Sequence, residues 1–513
     1  MTEEKRLITA EDLYDFELIS GFEISPDGKW VIYAQQRVDQ KTEKKYSNLW
    51  IVPVDAADDN SDQVTQPRQF TYGDQTDRSP KWSPDGSQIA FISNRKNEAQ
   101  SQIYLIPFGG GEARLLTDMK GQFGSFEWSP TGERIVCQFR KMDVEAIERE
   151  EDEQKKKLGI VSRHYERISY KFDGVGFLPK ERWHIWVVNT QNGEATQISD
   201  GEIYDEASPT WTADGQSIIF TSNRDPDPDI NFDLTDLYRI SVSGGEMQKI
   251  STPEGPKSHP SPSPDGHWIA YYGVAGRGDW WRNTSLWVVS SDGSSPARNL
   301  TETYDVNVSE SVMNDTNAGA AALSAPSWSK DSQTLYFPVG KHGSSRLHSV
   351  NLDGENFKAI TPEVGAIGSY CFDQFAQRMA YFFSQMTDPG QIWVQDLGSI
   401  ASPKQLTATN SWLKNVDLGS VEEIWFKGRD GNNLQGWVLY PPGFDPSSKY
   451  PSILEIHGGP MGQYGFFFMH EFYFLAAQGY VVYFSNPRGG RTDRRIVRLN
   501  HILRWMDKYL KAS

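Results

Sequence analysis

Short alternations of apolar and polar residues, each opened by the same turn, run through most of the chain. The turn is Ser-Pro-Asp-Gly or a relative, and alternating apolar residues follow it. Copies begin at Ser25, Ser83, Ser129, Thr212, Ser263, Ser329 and Phe372. Proline fixes φ, aspartate bonds its local backbone and glycine takes positive φ, so each copy predicts a tight turn feeding a strand. A second series alternates with the first: an apolar strand, a polar turn often holding glycine, and a short strand ending near Thr or Ser. Its copies begin at Leu49, Ile103, Ile185, Leu237, Leu286, Leu347 and Ile392. Two interleaved series with one count predict about four strands per unit. The pattern therefore predicts an all-β, seven-bladed β-propeller over residues 20–415, after an N-terminal segment of residues 1–19. An ordinary β-sandwich with unrelated turns does not repeat a motif pair at this spacing.

One repeat is stretched between Cys137 and Ile185. The first half of this insertion predicts a solvated helix with a charge run projecting from a blade edge. Glu148, Glu150 and Glu151 there read either as a trap for a substrate's α-amino group or as an exposed charged face.

After Thr407 the pattern changes. A strand, an Asp-Gly hairpin turn at Asp430–Gly431 and a second strand come first. "PSILEI" predicts a short buried strand ending at Ile456, followed by a glycine-rich loop. "FFFMHEFYFLAAQG" predicts a buried helix capped by Gly479, and "YVVYF" another buried strand. Strand, loop, helix and strand in this order open an α/β-hydrolase sheet. Ile496, Leu499, Leu503, Met506 and Leu510 repeat at helical spacing and predict a terminal amphipathic helix.

Bulk properties narrow the classes. At 513 residues the chain exceeds one typical domain. Its net charge of −17 argues against a nucleic-acid partner, which needs a basic footprint. Cys137 and Cys371 are too few for a disulfide framework and suit a reducing cytoplasm. The N-terminus lacks the apolar region of a secretory signal, and no apolar stretch approaches the ~20 residues of a membrane span, so no membrane partner is expected. No histidine pair has metal-ligand spacing, and neither Gly109–Gly111 nor Gly458–Gly459 has the Lys-Ser/Thr sequel of a phosphate loop, so no cofactor is expected.

The repeats leading into "DGNNLQGWVLYPPGF", "HGGP" and "NPRGG", with "YKFDGVGF" at Tyr170–Phe177, resemble the prolyl oligopeptidase (S9) family of serine peptidases. Within it the chain is similar to the acylaminoacyl-peptidase and dipeptidyl-aminopeptidase-like branch, and the resemblance covers nearly the whole chain. It implies hydrolysis of short peptides, and it implies that the loop His457, Gly458 and Gly459 helps hold an oxyanion. Glycine suits such a loop because backbone must approach a substrate closely. The nucleophile breaks the pattern. The fold requires Ser on a G-x-S-x-G elbow followed by Asp and His, and that motif occurs nowhere in the chain.

The chain thus reads as a family member with the middle of its hydrolase domain, residues 416–513, excised near Gly489–Arg491 by on the order of 150 residues. No catalytic residue is expected to be present; His501 falls inside the terminal helix and reads as structural or solvated. Two functions follow: a serine peptidase by descent, inactive as this chain, or a non-catalytic propeller that binds peptides or scaffolds. With its central strands gone, "YVVYF" is expected to be an exposed edge through which chains pair or aggregate.

Overall fold

The computed structural model describes residues 5–55, 66–308, 312–316, 318–322, 324–398, 402–428, 431–458 and 462–486. Up to residue 405 the strands form antiparallel meanders. Five are four-stranded sheets in sequence order; the first runs Leu18–Ile24, Trp30–Asp39, Lys44–Pro53 and Arg68–Gln69. The sixth sheet has nine strands, and among the described residues the strands of its two halves pair at one point, the parallel contact of Ser345 with Ala366.

Apolar clusters weld each meander to the next. Ile32, Ile51, Phe91 and Tyr104 join the first two sheets, and Ile92, Leu105, Ile135 and Phe139 join the second and third. A further cluster sets Ile19, Val31 and Val52 against Ala380, Phe382 and Ile392, so the last meander touches the first and the ring closes. That is the architecture of a β-propeller. Among the described residues no strand is exchanged across the closing seam. Side chains bridge it instead: the Arg378 guanidinium donates to the Gly28 carbonyl (3.1 Å) and pairs with Asp55 (3.0 Å), and Lys404 Nζ donates to the Val54 carbonyl (2.7 Å).

The repeated residues have repeated jobs. In the turn, the Ser25 hydroxyl donates to Asp27 (2.6 Å) and accepts the Trp30 N–H (3.0 Å), while Gly28 takes φ +71°. Ser83 and Ser263 repeat the arrangement with Asp85 and Asp265. The Thr or Ser after each outermost strand accepts an N–H from the third strand: Thr71 from Leu49, Ser199 from Ile185, Thr407 from Ile392. A tryptophan before the turn stitches neighbours together. The indole N–H groups of Trp82, Trp128, Trp211 and Trp328 donate to the carbonyls of Glu23, Lys81, Glu127 and Ser261 on the preceding sheet, at 2.9–3.2 Å. Trp211→Phe keeps the ring packing and loses one such bond, so urea unfolding should show a loss of about 1 kcal/mol; an unchanged midpoint would mean that the stitch contributes nothing.

The insertion forms two short helices, Val144–Glu151 and Glu153–Leu158, in place of one. The break is at Asp152, whose carboxylate caps the second helix by accepting the N–H groups of Gln154 (2.8 Å) and Lys155 (3.0 Å). Neither helix buries a residue. Beyond them lies a small hairpin, Lys171–Phe172 with Gly176–Phe177.

The C-terminal unit is a four-stranded sheet in the order Ser420–Lys427, Asn433–Tyr440, Val481–Ser485, Ser452–Glu455. This overturns the edge expected at "YVVYF". Val481–Ser485 pairs with Asn433–Tyr440 on one side and, in parallel, with Ser452–Glu455 on the other. The crossover carries it past Ser452–Glu455 and into the interior. Sequence order cannot reveal that non-sequential adjacency. Among the described residues the edges are Ser420–Lys427 and Ser452–Glu455; the latter is half-buried, and Ile456 after it is exposed. Hydrogen exchange should therefore be slower at Val481–Ser485 than at Ser452–Glu455; the reverse order would overturn this topology.

The helix is also shorter than expected. Phe466–Met469 enters without helical structure and only His470–Ala477 is helical. A carboxylate from the propeller sets the start: Asp315 accepts the N–H groups of His470 (2.9 Å) and Glu471 (2.7 Å). Gly479, at φ +88°, ends the helix as expected, its N–H reaching the Ala476 carbonyl (2.9 Å). The hairpin at Gly431 is formed, but Asp430, Gly459, the 489–491 junction, His501 and the terminal helix lie outside the described residues.

This unit is seated firmly on the propeller. Ile8, Phe16 and Leu18 from the N-terminal segment share a core with Trp437, Phe468, Phe472, Val482 and Phe484. Arg6–Leu7 pairs in parallel with Val416–Asp417. The turn at His342–Gly343 supplies backbone contacts: Gly343 O accepts the Phe466 N–H (2.8 Å) and His342 O accepts from the Gln435 amide (3.0 Å). No helix of the described residues is long and apolar enough to cross a membrane.

Candidate functional site

The glycine-rich loop leaves the Ser452–Glu455 strand through Ile456 and His457. Parallel pairing to Val481–Ser485 fixes where that strand ends, and so where the loop begins. Among the described residues a Cβ placed on Gly458 would meet nothing within 4 Å, and Gly458 is exposed. The His457 ring stands edge-on to Tyr464 (5.2 Å between centroids), with Nδ1 2.9 Å from the Gly458 carbonyl. His457 thus shapes the wall of the loop.

The support behind this loop includes a residue that the motif reading passed over. Asn486, first residue of "NPRGG", clips the chain at Tyr464: its Oδ1 accepts the Tyr464 N–H (2.7 Å) and its Nδ2 donates to the Tyr464 carbonyl (2.8 Å). Its position immediately after a buried strand was the available signal. The buried Tyr464 phenol is pushed up to about 12, first by burial and then by the Glu455 and Glu471 carboxylates. Burial, then Glu471, also raises Glu455. Open backbone N–H groups can stabilise an oxyanion. They supply no nucleophile, and the chain has no G-x-S-x-G.

One grouping imitates a catalytic triad. His184 Nδ1 lies 2.8 Å from Glu206, and the Ser199 hydroxyl is nearby, all three buried in the propeller. That hydroxyl donates to Glu206 (2.6 Å) instead of to the histidine and accepts the Ile185 N–H (2.9 Å). Arg224 closes on the same carboxylate. It is the repeat's Thr/Ser lock carrying a buried ion pair.

The insertion's glutamates do not converge on a common point. Glu148 pairs with Lys155 and Glu151 with Lys120, each at 2.7 Å and exposed, and Glu150 is exposed beside them. Inside the propeller, Lys81 Nζ lies 3.2 Å from Glu23. Burial raises the Glu23 and Glu127 carboxyls, with Lys81 opposing it in both. A cavity of about 670 Å³ lined by Lys81, Glu127, His259 and Tyr370 opens there. It lies beside the Ser-Pro-Asp-Gly turns, at the opposite strand ends from the His342–Gly343 turn that carries the C-terminal unit.

No family model matches the chain. Among curated proteins it is 30% identical over 490 residues to an uncharacterized peptidase, YuxL, of Bacillus subtilis, covering 94% of this chain and 71% of that one. It is 25% identical over 502 residues to dipeptidyl-peptidase 5 of Porphyromonas gingivalis, covering 94% of this chain and 68% of the relative. Among solved structures it superposes on the acylaminoacyl peptidase of Pyrococcus horikoshii with a TM-score of 0.74 at 20% identity, covering 98% of this chain and 73% of that one.

Proposed function

Since this chain belongs to the S9, or prolyl oligopeptidase, family of peptidases, we propose that it is a serine peptidase of the acylaminoacyl- or dipeptidyl-peptidase type by descent and does not hydrolyse peptides as it stands. One observation carries the second half: no G-x-S-x-G elbow occurs in 513 residues that otherwise follow the family nearly throughout. The excision near 489–491 is part of the same reading. The coverage bears on length alone: 94% of this chain aligns with 71% of the Bacillus subtilis relative, so part of that relative has no aligned counterpart here. We likewise take the nine-stranded sheet as two blades, which makes seven over residues 20–415, with 1–19 as the leading segment and 416–513 as the hydrolase remnant.

In this reading the propeller retains the family's preference for short peptides, and the protein works in the cytoplasm. The His457, Gly458 and Gly459 motif is then a relic of oxyanion binding with no tetrahedral intermediate to serve. A fluorophosphonate probe, which reacts with activated serines, tests it. The purified chain should stay unlabelled, and stoichiometric labelling of one serine would overturn the proposal.

A further inference from the structure

Register places one residue from the first strand of each meander at a common level around the propeller axis. It is the residue in the last pair but one before the turn. In the first three sheets these pairs are Glu23 with Ile32, Lys81 with Ala90 and Glu127 with Val136. Thr210 with Ile219, Ser261 with Ala270, Ser327 with Tyr336 and Cys371 with Ala380 follow. The ring is uneven: one arc carries long charged side chains, the other four short polar ones. Short side chains leave space, and the cavity of about 670 Å³ lies along that arc. Thr210, Ser261, Ser327 and Cys371 stand in its wall beside Lys81 and Glu127.

Charge around the ring does not cancel. Lys81 Nζ lies 3.2 Å from Glu23, and among the described residues Glu127 forms no salt bridge, so one ammonium serves two carboxylates. At the mouth Lys330 and Asp373 cancel in number, which leaves the surplus negative charge at Glu127. Burial raises the Glu127 carboxyl, and Lys81 and Thr210 oppose the rise. His259 in the same wall has a buried Nδ1 with no hydrogen-bond partner, and burial lowers its proton affinity, so it is uncharged at neutral pH. Pro209, Pro260, Pro262 and Pro264 make the rest of that side apolar.

We propose that this cavity is a binding site for a primary alkylammonium ion, its head at Glu127 and its chain along the prolines. A primary ammonium offers three N–H donors. The ring supplies acceptors to match, in the Glu127 carboxylate and the hydroxyls of Thr210, Ser261 and Ser327. An anion would meet two carboxylates with one lysine to oppose them, and a neutral ligand would leave the buried surplus charge without a partner. The volume falls in the range of roughly 300–1,000 Å³ usual for small-molecule sites. Because the cavity lies at the far end of the propeller from the C-terminal unit, the inference does not depend on the peptidase reading.

Cys371 is a reporter in the cavity wall, since the other cysteine, Cys137, is fully buried in the core. A methanethiosulfonate transfers its thioalkyl group to the thiolate and loses methanesulfinate. Burial pushes the Cys371 thiol up to about 12, so labelling is slow and is followed by mass spectrometry. Each reagent's rate is divided by its rate with 2-mercaptoethanol. In the full-length protein the 2-aminoethyl reagent should then react at least ~10-fold faster than the 2-sulfonatoethyl reagent, and Glu127→Gln should cut that ratio at least ~5-fold. Butylammonium chloride should protect Cys371, whereas tetramethylammonium chloride, with the same charge and no N–H donor, should not. Protection should vanish in Glu127→Gln and persist in Glu127→Asp, which keeps the charge and shows that loss in the first variant is not misfolding. Equal rates for the two reagents overturn the proposal. So do equal protection by the two salts, protection that survives in Glu127→Gln, and a Cys371 that no reagent reaches.

Discussion

Turnover of any peptide or ester by this chain is expected to fall roughly six orders of magnitude below that of a triad-bearing serine peptidase. The argument is one of missing parts acting as a unit. Losing the serine alone costs about as much as losing the whole triad, because base and orienting carboxylate have no purpose without the attacking oxygen. The open backbone at Gly458 could still offer a donor, and one oxyanion-hole donor is worth about 10²–10³ in rate in an intact enzyme. It is worth that only after an alkoxide has formed at the substrate carbonyl, and the chain has no G-x-S-x-G elbow to form it. The buried Ser199–Glu206–His184 group does not substitute, since its hydroxyl is committed to Glu206 and to the Ile185 N–H. Release of p-nitroaniline from N-acetyl-alanyl and dipeptidyl substrates should match the buffer blank. A rate above it that a fluorophosphonate abolishes would mean that a nucleophile has been overlooked.

What could be read in the chain, and what could not, divides along physical lines. The Ser-Pro-Asp-Gly turns and the closing Thr or Ser were legible because each acts locally: Ser25 reaches Asp27 and Trp30, and Thr71 caps a strand of its own sheet. The tryptophan stitches use an equally regular residue but join different sheets, so their purpose is visible only in three dimensions. Gly479 was legible because a helix stop is a local backbone event. The helix start was not, because Asp315, some 155 residues away in sequence, sets it. The place of "YVVYF" in its sheet failed for a similar reason: five apolar residues announce a buried strand without naming the neighbours. In the candidate site His457 and Gly458 were singled out by motif, while Asn486 was passed over because its contacts are to the backbone at Tyr464.

Gly465→Ala should detach the C-terminal unit from the propeller, whereas Gly458→Ala should do almost nothing. Both are glycines of the stretch between the Ser452–Glu455 strand and the following helix, so they form a matched pair. A Cβ at Gly465 would overlap the carbonyl of Gly343, a backbone group that cannot rotate aside. Gly343 cannot retreat readily, because it holds φ +67° in the turn closed by the pairing of Lys341 with Ser344. The two backbones must separate, and the Phe466 N–H to Gly343 O bond of 2.8 Å goes with them. Overpacking of this kind costs about 3 kcal/mol when the obstacle is rigid, and the lost hydrogen bond adds about 1 kcal/mol. The aromatic core behind the contact, where Phe466 stands edge-on to Trp437 at 5.6 Å, then opens to water. A Cβ at Gly458 meets nothing and lies where no unusual φ is required, so that substitution should stay within about 0.5 kcal/mol. Urea unfolding followed by tryptophan fluorescence should show an early transition in the first variant and a wild-type curve in the second. Equal curves for the two would mean that the unit is not held at Gly343, and the seating described for it would have to be abandoned.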